Sequence, residues 1–536
     1  MIEQHPWLSL LPPVITILLA ILSRKVKWSL GLGIVVGALL LADFNPLGAL
    51  QSIWEAFAAQ FWSDGAFDTY NLFILIFLVM LGIITSLVLM SGGSAAFSAW
   101  AAKRIKSRRG AQGFALALAF LLFIDDYFSA LAVGQVSRPL TDSHKVSRAK
   151  LAYIVDSTAA PMTVLVPFSS WGASIIGLLA PVVAGSTIGL SDFMTFVAAG
   201  VANYYAIAAL VLVVSVVVLQ LDIGSMRKEE RRAIHHDSMH EEGIEIPGEL
   251  SADLPVIDDG AIRALIVPFV ALVVGVVSSM YVTGWMVGGD ANPVEALGNT
   301  MLTESLLLGG GIGLALALYY YWRYTRHDEK FDKAALGRGI VEGAKSMWPA
   351  ISILLLAWVL GHLIHALGTG AYLAHLVEQS DLPAAWLLPV IFVMAGFMAF
   401  ATGTSWGSFG LLIPIAGEIM LSMGADELLI PALGAVLAGS VFGDHTSPIS
   451  DTTILSSTGS QANIITHVKT QLPYALIAAA AAMVGYFAAA ATGGVVAGLV
   501  ATLISLALLV FVANRMTTAL VDEIPGHELD KLQMMG

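Results

Sequence analysis

Between short polar loops the chain reads as long apolar runs of about twenty residues, enough helix to cross roughly 30 Å of hydrocarbon. Uninterrupted runs predict spans at Trp7–Leu22, Trp28–Leu41, Tyr70–Met90, Phe196–Leu219, Ala264–Val282, Leu302–Tyr321, Met347–Leu367, Tyr474–Ala490 and Val495–Ala513. Four further apolar stretches carry polar residues in their middles: Gly113–Arg138, Ala152–Val183, Trp386–Met420 and Leu428–Thr458. The first is flanked by Lys103, Arg104, Lys106, Arg108 and Arg109 before it and by Arg138, Lys145, Arg148 and Lys150 after it. By the positive-inside rule both of its ends lie on one side, so it is predicted to be a re-entrant hairpin with Asp125, Asp126 and Tyr127 at its tip. The third is flanked by Glu378, Asp381, Asp426 and Glu427 and predicts a second hairpin, entering from the opposite side, with Thr402–Trp406 at its tip. The second and fourth are predicted to cross as helices broken in the middle. The pattern is that of an all-α polytopic membrane protein with about eleven transmembrane helices, two re-entrant hairpins and two broken helices.

An internal repeat supports this reading. Gly93, Phe120 and Phe123 match Gly370, Phe397 and Phe400, and further on Pro161, Ser169, Ser170 and Gly172 match Pro448, Ser456, Ser457 and Gly459. The matching loops are basic at 103–109 and acidic at 375–383, so the halves are inverted repeats, an arrangement typical of secondary transporters. The expected divisions are 1–45 for the N-terminal helices (the first extra, the second opening repeat 1) and 46–221 for the repeat 1 core, with hairpin 113–138 and broken helix 152–183. A cytoplasmic linker follows at 222–262, then the last helix of repeat 1 at 263–282. Repeat 2 spans 302–513, with hairpin 386–420 and broken helix 428–458, and 514–536 is a cytoplasmic tail.

Composition narrows the function. Hydrophobic residues are 57% and charged residues 12% of the chain, against about 25% charged in soluble domains. A net charge of −13 excludes a nucleic-acid partner, and the absence of cysteine excludes thiol catalysis and thiolate metal sites. Arg24, Lys25 and Lys27 follow the first span, which is expected to be retained with the N-terminus outside and the C-terminus cytoplasmic. With these assignments all 26 Lys and Arg residues fall on the cytoplasmic side. The linker holds eleven acids and four basic residues and is expected to be solvated, its His235, His236 and His240 forming a polar helix face. No Walker lysine motif occurs, so transport would draw on an ion gradient. No nucleophile–base pairing points to an enzyme, and no cofactor is expected. The expected partners are the lipid bilayer and a small ion or small-molecule substrate.

An ionisable group in hydrocarbon costs about 2.5–3.5 kcal/mol, so each one needs a purpose. The deep set is Asp125, Asp126, Asp156, Asp444, His445, Asp451, Glu418, His362 and His365. Most of these lie in hairpin tips or helix breaks, where freed carbonyls and the hydroxyls of Ser157, Thr158, Thr404, Ser405, Ser447 and Thr452 supply further oxygens. Such an oxygen-rich set suits a hard cation, here sodium near Asp156 and Asp444. Asp126, Asp156 and Asp444 are the expected ligating or titrating groups. Asp125, His445 and Asp451 are candidates for proton coupling, and Trp171 and Trp406 could gate the site or stack on a substrate. Glu418, His362 and His365 read as interfacial or packing residues.

The strings Asp125–Phe128, Asp156–Pro161, Ser169–Ala173, Thr402–Gly407 and Gly443–Thr453 together resemble the NhaC-type sodium/proton antiporter family, over most of the chain from about residue 70 to 490. The resemblance implies a scaffold domain and a mobile transport domain, a homodimer, and an elevator mechanism in a bacterial inner membrane. The family is also similar to sodium-coupled carriers of malate, lactate and amino acids, so an organic solute such as an amino acid or small carboxylate stays open as the alternative cargo.

Overall fold

The computed structural model describes residues 4–517, apart from 24, 64, 124–125, 168, 237, 240–253, 258, 290–291, 293–295, 297–298, 370–371, 373–374 and 376–382. The described chain is an almost entirely helical membrane protein. Ten of its helices are long and apolar enough to cross a bilayer, or eleven if the bent pair Lys27–Leu41 and Pro46–Ala58 forms one span. Within that pair the chain turns by 118°. Asp43 and Phe44 take positive φ, Asn45 caps the second helix and Pro46 starts it, a run that cannot continue the first.

Other expectations need revision. The run Phe196–Leu219 is two helices, Asp192–Val201 and Tyr204–Leu219, because the Asn203 side chain accepts from Ala206 N at 3.1 Å and begins a new helix. A short β pair, Trp62–Ser63 with Ala66–Phe67, has no counterpart in the apolar pattern. The linker is not wholly solvated. Its helix Gly224–His236 carries Glu230, fully buried, which accepts from Arg108 and from Ser147 N. Asp222 pairs with the buried Lys150 at 2.5 Å. Two of the linker's acids thus answer basic residues outside it, which charge content alone does not reveal. His235 is exposed on that helix, and His240 lies outside the described residues.

Helix packing divides into two groups. Val26–Leu41, Pro46–Ala58, Tyr70–Met90, Arg263–Gly288, Leu302–Thr325, Lys333–Ser346 and Trp348–Ala366 pack chiefly on one another. The hairpins and broken helices pack together with Tyr204–Leu219, Ile464–Thr492 and Val495–Met516. Gly93–Arg104 and Trp348–Ala366 touch both groups.

Within the second group the halves cross. The first hairpin has arms Arg108–Leu121 and Asp126–Ser143, and its second arm lies on Asp451–Ser460, the short half of the second broken helix. The second hairpin has arms Ala384–Thr402 and Ser405–Ser422, and its second arm lies on Ser170–Ala184, the second half of the first broken helix. The first halves of the broken helices are Arg148–Thr163 and Leu429–Thr446. Ser169 and Ser450 each cap the helix that follows a break, so Ser169 is matched structurally by Ser450 and not by Ser456. The identities seen in sequence at that point were displaced by about two turns.

The cross-packing depends on close backbone approach. A Cβ at Gly134 would meet Gly459 C at 2.5 Å, and one at Gly459 would meet Ala130 O at 2.5 Å. Gly134→Ala is therefore expected to cost about 1–3 kcal/mol and to lower the unfolding temperature in detergent. Gly113→Ala, with nothing within 4 Å of the new Cβ, should leave it unchanged.

Candidate functional site

Four helix N-termini converge where the hairpin tips meet the helix breaks: those of Asp126–Ser143, Ser170–Ala184, Ser405–Ser422 and Asp451–Ser460. Three are capped by hydroxyls. Ser169 accepts from Gly172 N at 3.0 Å, Thr404 from Trp406 N at 3.4 Å and Ser450 from Thr453 N at 3.2 Å. The positive ends of these helices offset the charge of Asp126 and Asp451, which sit in first turns. The second hairpin tip is held to the second break by its backbone. Gly403, at φ +74°, leaves 2.5 Å between a would-be Cβ and Ile449 O, Asp451 N donates to Gly403 O at 3.3 Å, and Ser447 Oγ donates to Phe400 O at 2.8 Å.

A cavity of about 870 Å³ reaches this floor. Its walls come from Tyr70 and Asn71, from Thr303 and Glu304, and from Trp358, His362 and His365. Each of these three helices contributes the end away from its basic neighbours (Lys103 and Arg104, Arg323 and Lys345 respectively), so the cavity opens on the face opposite the basic loops. Asp126, Tyr127, Trp171, Thr404, Trp406 and Asp451 form the floor. Trp171 and Trp406 meet edge to face with centroids 5.3 Å apart, and Trp171 Nε1 donates to Asp126 Oδ1 at 3.0 Å. Among the described residues that line the cavity there is no Lys or Arg, while Asp68, Asp126, Glu304 and Asp451 are all present.

The carboxylates form layers. Asp451, at the floor, accepts from Thr452 N at 2.8 Å and from the Tyr127 hydroxyl. Asp444 lies off the cavity and accepts from Ser405 Oγ at 2.8 Å and Ser450 Oγ at 2.6 Å, and Ser450 in turn meets Thr452 Oγ1 at 3.0 Å. Asp156 also lies off the cavity and accepts from four side chains of the other repeat: Thr453 at 3.2 Å, Ser456 at 3.2 Å, His467 at 3.1 Å and Gln471 at 2.6 Å. A carboxylate offers about four lone-pair sites. Asp156 meets four protein donors, three on Oδ2 and one on Oδ1, whereas Asp451 and Asp444 each meet two.

The remaining expected residues are distributed as follows. His445 bridges Ser157 Oγ, 3.1 Å from Nε2, and Tyr205 OH, 2.7 Å from Nδ1. Thr158 turns its hydroxyl back to Ile154 O at 2.7 Å and so presents none to the site. Asp125 lies outside the described residues. Tyr127, Ser450, Tyr205, His467 and Gln471 were not singled out as site residues from the sequence. The last two had a readable signal: Asn463, His467 and Gln471 recur every fourth residue at the start of Ile464–Thr492, one polar face on an otherwise apolar helix. His362 and His365, read as packing or interfacial, are exposed and line the cavity. Among the described residues no group of three or more His, Asp or Glu gathers as a metal centre, and the oxygens are mainly hydroxyl and carboxylate.

A helical membrane protein with broken helices, whose acids meet at the floor of an open cavity, is built as a transporter. The chain belongs to the Na+/H+ antiporter family, whose family model matches residues 162–491. It is similar to an uncharacterized protein of Haemophilus influenzae, 41% identical over 95% of each chain. It is also similar to a malate-2H(+)/Na(+)-lactate antiporter of Bacillus subtilis, 32% identical over 30% of this chain and 34% of that one. An arginine/ornithine antiporter, ArcD, of Halobacterium salinarum is 32% identical over 30% of each chain.

Proposed function

We infer that this protein exchanges sodium for protons and that the two compete for the carboxylates at the cavity floor. The observation that carries this reading is Asp451, which lines an open cavity with no Lys or Arg among its described lining and keeps acceptor capacity that the described donors leave unfilled. Sodium held there would draw its oxygens from Asp451, Asp444 and Asp126, with Ser405, Ser447, Ser450 and Thr452 as neutral neighbours. Protonation of those carboxylates removes the charge that holds the cation, so apparent sodium affinity should fall as pH falls. Of the two regions expected to hold sodium, that of Asp444 adjoins the cavity, while that of Asp156, with Ser157 and Thr158, ties the repeats together. The two packing groups support an elevator movement, in which hairpins and broken helices travel past the other helices. We extend the reading to a homodimer in a bacterial inner membrane, with the N-terminus outside.

Purified protein in liposomes carrying an internal pH dye provides the test. A sodium gradient should drive saturable proton movement in the opposite direction, and choline should drive none. Equal responses to sodium and choline would overturn the proposal.

The cavity also favours a second reading. Its volume of about 870 Å³ and paired indoles suit an organic ligand, and one relative is named for arginine and ornithine. The cargo would then be a compact organic cation, since a small carboxylate would meet four acids and, besides His362 and His365, no basic residue among the described lining. Inhibition of sodium flux by cationic but not anionic amino acids would favour this reading.

A further inference from the structure

A second cavity, of about 310 Å³, lies apart from the acidic one, and its described lining is all apolar. It runs between Gly93–Arg104, both arms of the first hairpin and Arg263–Gly288. Phe97, Trp100 and Leu118 form one wall, and Phe269, Val270 and Val274 the other. It opens sideways, since Leu121, Val270 and Val274 are all more than half exposed. An apolar space of this kind does not hold water, and in a bilayer the available filler is hydrocarbon.

Its depth and its mouth define the ligand further. Along Arg263–Gly288 the lining runs from Leu265 to Val274, nine residues on, or about 14 Å of helix. That is close to the roughly 15 Å depth of one leaflet. The run starts beside Arg263, so the groove extends from the basic face towards the middle of the membrane. At that basic end the Arg104 guanidinium lies over the Trp100 ring, 4.6 Å from its centroid. Arg108 is taken by Glu230, but among the described residues Lys103, Arg104, Lys106 and Arg109 make no ion pair. A dry groove one leaflet deep, with unpaired cations at its rim, matches a lipid with one chain inside and an anionic headgroup at the surface.

We propose that this groove is a binding site for an anionic phospholipid, with one acyl chain between the first hairpin and Arg263–Gly288 and the phosphate against Arg104 and Lys103. The inner end of the groove touches Leu121 and Leu122, at the end of the hairpin arm that leads to Asp126. The lipid chain thus fills the seam along which the hairpin would slide against a helix of the other group. The proposal stands whether or not the transported ion is sodium.

Native mass spectrometry of the full-length protein, given equal amounts of phosphatidylglycerol and phosphatidylcholine, tests it. Each basic residue near the surface adds about a five-fold preference for an anionic lipid. The wild type should therefore retain phosphatidylglycerol at least about five-fold over phosphatidylcholine, and Arg104→Gln should cut that preference by about the same factor. Val274→Trp, at an exposed position on the groove wall, should lower retention of phosphatidylglycerol without unfolding the protein. Equal retention of the two lipids by the wild type would overturn the proposal. So would a preference unchanged in Arg104→Gln, or retention unchanged in Val274→Trp, which would place the lipid elsewhere.

Discussion

Asp451→Asn should abolish sodium-driven proton movement, by about a hundredfold or more, in protein that still inserts and folds. Removing one charged partner from a buried ion site costs about 3–5 kcal/mol, and the lower figure already corresponds to roughly two orders of magnitude. The substitution keeps shape and size, so the Thr452 N–H keeps an acceptor and the Tyr127 hydroxyl remains within reach of the side chain. Folding should therefore be spared while charge is lost. The check is the liposome flux assay on variant and wild type matched for inserted protein. Flux within about threefold of wild type would remove Asp451 from the site, because that factor is well below what loss of a buried charge partner costs.

Asp156→Ala should act on stability. Removing one partner from a buried charged network leaves the others unsatisfied, at about 3–5 kcal/mol. Here Thr453, Ser456 and His467 would lose their acceptor at once, and Gln471 one of its two. These bonds join Arg148–Thr163 to Asp451–Ser460 and Ile464–Thr492, so the two repeats should loosen at their contact. The unfolding temperature in detergent should fall by several degrees, and Asp156→Asn, which keeps an acceptor oxygen, should fall less. An unfolding temperature equal to wild type in Asp156→Ala would contradict the structural role assigned to this residue.

The hairpins and broken helices were legible because hydrocarbon makes polar residues conspicuous. Asp126, Asp156, Asp444 and Asp451 stood out against apolar runs, and the same runs identified the all-helical class. Their division of labour was not legible. Asp156 and Asp444 look alike in sequence, each followed by hydroxyl residues and a proline. Which one takes four donors from the opposite repeat depends on packing between residues some three hundred positions apart. Tyr127 and His467 were missed for a related reason, since their partners Asp451 and Asp156 lie in opposite repeats. The Asn203 helix start and the buried Glu230 failed for a different one. A local hydrogen bond in the first case, and waiting charge partners in the second, outweighed the hydropathy average.

The competition of sodium and protons for the floor carboxylates is tested most directly by proton release on sodium binding. Sodium added to purified protein in weakly buffered detergent at mildly acidic pH should release protons in a saturable way. Release should be lost or halved in Asp451→Asn and in Asp444→Asn, and should persist in folded Asp156→Asn. Undiminished release in both Asp451→Asn and Asp444→Asn, with loss only in Asp156→Asn, would contradict the assignment of the site.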